Sequence, residues 1–316
     1  MSYHSMVEIC DLSRQQKCSF AQVVLTDDCK ERGVTEEESR AIMKKMWQTM
    51  LDASENYDAS LQSKSRLVGG DGGRMKEFYQ KHTSVCGEFV TEVIVQSLQM
   101  GESNACMKRI VAAPTAGSCG VLPAVLIPYY RRNCEKAGIE ERMIDALYVA
   151  AGVGQVIASK AYIAGASGGC QAEIGSASAM AAAALTYLQE KKLQLSAVQP
   201  STLQPSTLQF SEEEICSRIC HAVAMSMKNL LGLVCDPVAG LVEVPCVKRN
   251  VIGAVNAISC ADMAVAGIIS QIPADQVIEA MKEIGDNMSS KYKETAGGGC
   301  AATLRGKEVN DSMQKL

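Results

Sequence analysis

Between Gly175 and Leu188 the chain reads Gly-Ser-Ala-Ser-Ala-Met-Ala-Ala-Ala-Ala-Leu-Thr-Tyr-Leu. Nothing in this run breaks a helix. Alanine is the strongest helix former, and its short side chain lets a neighbouring helix approach closely. Such a segment commits the chain to close-packed helices, and the rest of the sequence agrees. Only 4% of the residues are aromatic, whereas 16 methionines can fill irregular gaps between helices. Runs that alternate polar and β-branched residues are scarce, so little strand is expected. The expected class is mainly α, one compact helical domain over residues 1–316, a length that allows a sizeable core.

Local signals place the helices. Thr35 and Glu38 form the pattern of a capping box, with Val34 as the staple residue. Ile42, Met43, Met46, Met50 and Leu51 then recur at helical spacing as an expected core face. Ser211 and Glu214 repeat the box and open a helix to about Leu231. Further helices are expected from Val85 to about Met100, Glu140 to Ile163, Asn250 to Ser270 and Ala274 to Ser289. The first 30 residues read as a short amphipathic helix and an ill-defined turn, and Leu67 to Gly73 as a glycine-rich turn. The stretch from Lys191 to Phe210 holds Pro-Ser-Thr-Leu-Gln twice, at 200–204 and 205–209, and reads as an exposed insertion. Residues 305–316 read as a loose polar tail.

A net charge of −4 leaves no electrostatic footprint for nucleic acid or an anionic membrane. Lys248-Arg249 remains as a local anion contact. Two apolar stretches approach the length of a membrane span, but one carries Gln155 and Lys160 and the other Asn256 and Asp262. Polar groups are costly inside a bilayer, so both are expected as buried helices. Met1 to Ser19 is polar and mixed in charge, unlike a secretory signal, so the 14 cysteines are expected as thiols in a reducing cytoplasm.

Cys235 and Cys246 bracket a segment containing Pro237, Gly240 and Pro245, which breaks any helix and holds both thiols on a constrained loop. With so many cysteines, that spacing alone does not separate a metal site from chance. Cys170 lies in a second glycine loop, Gly165-Ala-Ser-Gly-Gly-Cys170-Gln-Ala-Glu-Ile-Gly175, where a bulky ligand could come close to the backbone. Three such thiolates could hold three irons of a four-iron cluster and leave the fourth iron open. Cys300, after Gly297-Gly-Gly299, is a candidate fourth ligand. Cys216 and Cys220, four apart on a helix, read either as a core face or as a two-ligand clamp, and Cys119 as structural.

Taken in order, these loops resemble the α subunit of the bacterial iron–sulfur L-serine dehydratases. The likeness runs through Gly69-Gly-Asp-Gly72, Ser103-Asn-Ala105, Arg109 to Gly120, Gly168 to Gly175, Cys235 to Gly240, Cys246 to Asn250 and Lys291-Tyr-Lys-Glu-Thr295. The resemblance implies a helical catalytic domain with glycine-rich loops around a [4Fe-4S] cluster on Cys170, Cys235 and Cys246. It implies that Pro114 to Ser118 is the loop for the substrate carboxylate, and that Thr115, Ala116, Gly117, Ser118 and Asn104 bind L-serine. It also implies a lyase of amino-acid catabolism, releasing pyruvate and ammonia, whose pyruvate can feed gluconeogenesis. The family's smaller β portion carries a Ser-Ser-Ser-His type segment. His4, His82 and His221 do not match it, so a separate β subunit is expected to supply the base. Lys293 and Glu294 read either as substrate-positioning groups or as a solvated surface. In single-chain members a cysteine at the extreme C-terminus caps the open iron, whereas this chain ends Gln314-Lys-Leu316.

Two other functions stay in view at this point. A cysteine desulfidase with a similar cluster would eliminate sulfide instead of water. A non-enzymatic helical subunit would leave the glycine breaks around three cysteines unexplained. A pyridoxal-phosphate enzyme, with Lys160 as its Schiff base, would need alternating strands and helices that the sequence lacks.

Overall fold

A computed structural model describes residues 3–196 and 210–314. The duplicated pentapeptides at 200–209 therefore lie outside the described residues. Thirteen α-helices occur among the described residues: α1 (Met6–Gln16), α2 (Phe20–Arg32), α3 (Glu36–Glu55), α4 (Asp71–Lys81), α5 (Gly87–Ala105), α6 (Leu122–Arg131), α7 (Ile139–Lys160), α8 (Gly165–Gly168), α9 (Ser176–Ser196), α10 (Glu212–Lys228), α11 (Cys246–Val265), α12 (Ala274–Asn287) and α13 (Leu304–Met313). The expected mainly-α class holds. The described residues contain no strand, only an isolated parallel bridge between Cys235 and Lys293.

The alanine-rich segment is the centre of the bundle. Ala177, Ala179, Ala181, Ala182, Ala183 and Ala184 on α9 are all fully buried. Small side chains around the whole circumference let α6, α7, α10 and α11 pack against this one helix. Where α9, α10 and α11 meet, buried polar groups satisfy one another. Ser178 donates to the carbonyl of Gly253 (2.7 Å), Ser226 donates to Ser178 (2.8 Å), and Asn256 donates to the Ser226 carbonyl (2.9 Å). The other polar interruptions of the apolar stretches are also cross-links. Gln155 accepts from the Tyr3 hydroxyl at 2.7 Å, and Lys160 pairs with Asp275 at 3.4 Å. No described helix is long and apolar enough to cross a membrane.

Both capping boxes form. The Glu38 N–H donates to Thr35 Oγ1 (3.2 Å) while the Thr35 N–H donates to Glu38 (2.8 Å), and Ser211 and Glu214 repeat the exchange. Four expectations need correction. The N-terminal segment is two helices, capped by the Ser5 and Ser19 hydroxyls rather than trailing into a turn. The tail is also a helix. Thr303 caps α13 by accepting from the Gly306 N–H (3.1 Å), and Val309 packs inward, so a polar composition hid a docked element. Gly72 and Gly73 lie inside α4 because α5 caps that helix from outside. Buried Glu102 accepts from the N–H groups of Asp71 (2.6 Å) and Gly72 (3.1 Å), and Tyr57 accepts from Gly73 (3.1 Å). The buried face of α3 is set by Trp47 and Met50. Trp47 meets Tyr130 edge-on, and this rotation leaves Ile42 and Met46 each 42% exposed.

His221 on α10 gives a pH prediction. Its Nδ1 accepts from the Ser270 N–H at 3.2 Å, and burial, with Lys228 second, holds its pKa below the usual imidazole value. The folded state thus binds fewer protons than the unfolded chain as pH falls through about 6.5, so stability is full above that value and is lost below it. The melting temperature is expected to fall in mild acid. His221→Asn, which keeps an acceptor for Ser270 but cannot titrate, should make that fall shallower.

Candidate functional site

The structure brings together the thiols of Cys170 and Cys235 and the carboxylate of Glu173, with one ligand atom of each within 4.8 Å of the others. Cys170 follows α8 and leads into a π-turn, Gln171–Gly175, that feeds α9. Positions three apart share a helix face, which is why Glu173 lies beside Cys170. Gln171 fastens this turn to the next segment. Its N–H donates to the Leu233 carbonyl (2.9 Å), its side-chain oxygen accepts from the Gly232 N–H (2.9 Å), and its amide donates to the Met281 carbonyl (3.0 Å).

Cys235 is held by the 291–295 segment. Its N–H donates to the Tyr292 carbonyl (2.8 Å), and its carbonyl accepts from the Glu294 N–H (2.9 Å). Tyr292 and Glu294 thus hold Cys235 through their backbone, while the Lys293 N–H donates to the Ser290 carbonyl (3.1 Å). Arg249 on α11 braces the same loop. It pairs with buried Asp236 at 2.8 Å and donates to the Val234 carbonyl at 2.7 Å. Lys248 points the other way, is exposed, and pairs with Asp71. The expected Lys248-Arg249 anion contact is therefore two separate groups, one on the surface and one in the site.

Cys246 is the first residue of α11 and is buried. It lies outside the 4.8 Å group, yet the Cys170 charge still acts on it. A helix N-terminus is expected to lower a thiol pKa, but here burial wins and pushes Cys246 up to about 12. Between the touching pair, the Cys170 thiolate is favoured. A hydrogen bond from Cys235 lowers its pKa, burial opposes, and Arg249 adds to the lowering. The Cys235 thiol keeps its proton, held by that bond and by burial. Cys300 stands apart from the group. It is exposed, and its N–H donates to Asp236 at 2.7 Å.

The Thr115–Ser118 loop is a single 3-10 turn beside these thiols. Its first internal bond runs from the Ser118 N–H to the Thr115 carbonyl, which leaves the N–H groups of Ala116 and Gly117 as the donors of its start without a backbone acceptor among the described residues. Two asparagines hold it from behind. Asn104 donates to the Ala116 carbonyl (3.1 Å). Asn250 donates to the Gly117 carbonyl (2.8 Å) and accepts from the Gly120 N–H (2.9 Å). Asn250 is one turn along α11 from Cys246 and also donates to its carbonyl (3.0 Å), so one side chain ties the turn to the helix start that carries that thiol. Thr115 Oγ1 donates to Glu173 at 2.8 Å, which joins the turn to the thiol group.

Sequence reasoning quoted Glu173 inside a motif without giving it a role, and did not place Arg249 or Asn250 in the site. The remaining thiols are elsewhere. Cys10 and Cys220 lie 3.5 Å apart where α1 meets α10, and Cys216 donates to Ser13 at 3.5 Å, so the latter two line a helix seam. Cys119 is buried, its thiol pushed up to about 12 by burial. His221 is on α10, and His82 stacks on Phe78 at the end of α4.

The donor set suits an iron–sulfur group. Two buried thiols and a carboxylate converge, a third buried thiol stands at the start of α11, and soft thiolates are the usual ligands of such clusters. The cation Arg249 already stabilises one thiolate.

Residues 15–198 and 212–301 match the family model for the serine dehydratase alpha chain. The chain is 37% identical over 311 residues to a Bacillus subtilis (strain 168) protein named probable L-serine dehydratase, alpha chain, covering 98% of this chain and 95% of that one. It is 35% identical over 310 residues to the L-serine dehydratase, alpha chain, of Peptoniphilus asaccharolyticus, covering 98% and 97%. A longer protein named L-serine dehydratase, from Helicobacter pylori (strain ATCC 700392 / 26695), is 31% identical over 314 residues, and the match spans 96% of this chain but 62% of that one.

Proposed function

The chain belongs to the serine dehydratase alpha chain family, and from that premise we propose that it is an L-serine ammonia-lyase using a [4Fe-4S] cluster on Cys170, Cys235 and Cys246. The observation that carries the reading is the hydrogen bond from Thr115 to Glu173, which sets the anion-binding turn against the group of thiols.

L-Serine presents a carboxylate, an ammonium and a hydroxyl that is a poor leaving group. The donors of Ala116 and Gly117 suit the carboxylate, and the small side chains of the turn let it approach the backbone. Asn104 and Asn250 fix the turn, so its dipoles need no reorganisation as substrate arrives. Arg249 keeps the Cys235 loop in place through Asp236 and favours the thiolate of Cys170. A bound cluster would supply a Lewis-acidic iron that makes the hydroxyl easier to expel. Loss of the Cα proton and of water gives an enamine, which tautomerises to the imine and hydrolyses to pyruvate and ammonia with no net redox change.

The proton acceptor is assigned to a separate β chain. The relatives that align end to end are named alpha chains, while the longer Helicobacter pylori protein extends well beyond the matched region. The protein acts in the cytoplasm on this reading, where its thiols stay reduced.

The test is turnover of L-serine and of L-cysteine by anaerobically prepared protein combined with a serine dehydratase β chain. Pyruvate from L-serine, at a kcat/KM at least tenfold above that for L-cysteine, is expected. Preferential sulfide release from L-cysteine would replace this reading with the desulfidase.

A further inference from the structure

Glu173 is a half-buried carboxylate, and among the described residues none of the groups that act on it is a cation. Besides burial, those groups are Thr115, Glu294 and Gly165. Arg249 is committed to Asp236, to the Val234 carbonyl and to the thiol of Cys170. The carboxylate is also fixed in direction. Thr115 donates to Oε1 at 2.8 Å, and a Cβ placed on Gly117 would sit 3.0 Å from each oxygen, so Glu173 lies directly against the anion-binding turn. A half-buried carboxylate held in one direction by a neutral donor suits a cation that arrives later.

The substrate brings that cation. The turn offers N–H donors, which serve a carboxylate and cannot serve an ammonium group. We propose that Glu173 is the acceptor for the substrate's ammonium group and that this contact makes the site select α-amino acids over the matching α-hydroxy acids. The inference rests on the dehydratase reading and adds to it the residue that reads the amino group. Glu294, exposed and with left-handed backbone (φ 64°), adds negative potential on the same side.

The experiment compares wild type with Glu173→Gln, which keeps the shape and one acceptor but removes the charge. Both are prepared without oxygen and combined with the β chain. L-Glycerate, which carries a hydroxyl where L-serine carries ammonium, is the probe, and its inhibition constant is measured beside the L-serine KM and kcat. Glu173→Gln is expected to raise the L-serine KM about 10- to 100-fold and to change kcat far less. L-Glycerate should bind the variant as well as wild type or better, and iron and sulfide content should be unchanged. Glu173→Asp, with its charge restored, should recover part of the preference for L-serine.

Three results overturn the proposal. Loss of iron in the variant would make Glu173 a metal ligand. A fall in kcat at unchanged KM would make it a proton acceptor. Equal weakening of L-serine and L-glycerate would make it a prop for the turn. If wild type converts no L-serine, the dehydratase reading fails separately. The preference between the two ligands is then still read from their direct binding to both proteins.

Discussion

Cys235→Ala is expected to leave a folded protein without iron, and to lower L-serine turnover by at least about a thousandfold, the scale of a lost Lewis acid. The fold should survive because the loop is held by its backbone. The bonds to the Tyr292 carbonyl and from the Glu294 N–H do not involve the thiol, and neither do the contacts of Arg249 with Asp236 and Val234. The buried sulfur itself is worth on the order of 1 kcal/mol, a shift of a few degrees in melting temperature. Cys119→Ala is the matched control. That thiol is equally buried, and its hydrogen bond runs to the Met100 carbonyl, at 3.8 Å, so its loss should cost similar stability and no iron. Iron and acid-labile sulfide per chain, with pyruvate formation on the same samples, separate the two variants.

Gly165→Ala is the second large effect. A Cβ at this position would sit 2.7 Å from Cys235 Sγ and 3.0 Å from Glu173 Oε2. Neither neighbour can retreat freely, because Cys235 is pinned to the 291–295 segment and Glu173 is held by Thr115. Misplacing a ligand and a carboxylate by a few tenths of an ångström should weaken iron retention and cut kcat/KM about 100-fold or more. Overpacking should also cost about 1–3 kcal/mol. Gly175→Ala, in the same glycine-rich motif, is the contrast. Its added methyl would meet nothing closer than the Leu230 Cβ at 4.0 Å, and its φ is not left-handed. It should be within about 0.5 kcal/mol of wild type and fully active. Equal damage from both changes would mean that the motif is sensitive to any added bulk, not to the contact described.

Much of the helical framework is legible from residue pattern alone. The α9 run announces a close-packed centre, and both capping boxes mark helix starts to within a residue. Errors arise where the deciding partner lies far away in sequence. Gly72 and Gly73 look like a turn because the carboxylate that caps their helix, Glu102, is some 30 residues on. The α3 stripe reads two methionines and an isoleucine ahead of Trp47, although the largest side chain takes the core. In the tail, Thr303 is an ordinary N-cap signal that a polar composition outweighed.

The site divides in the same way. Cys170, Cys235 and Cys246 stand out because glycine and proline break the helices around them, and the structure places Cys170 against Cys235, with Cys246 outside that group at the start of α11. Glu173 was hidden because a lone glutamate after a cysteine has no signature, although the three-residue offset from Cys170 was available. Arg249 was hidden beside Lys248. Successive helix positions point about 100° apart, so one of two adjacent cations can face solvent while the other braces a buried loop. Asn250, between the Cys246 carbonyl and the Thr115–Ser118 turn, acts through contacts that no local pattern encodes.

The most direct test of the account follows iron, acid-labile sulfide and pyruvate formation together on one anaerobic preparation, with its β chain, as a chelator removes the metal stepwise. The account predicts close to four irons and four sulfides per chain at the start, and turnover of L-serine that falls in proportion to the iron lost. Pyruvate formation continuing at full rate in iron-free protein would contradict it.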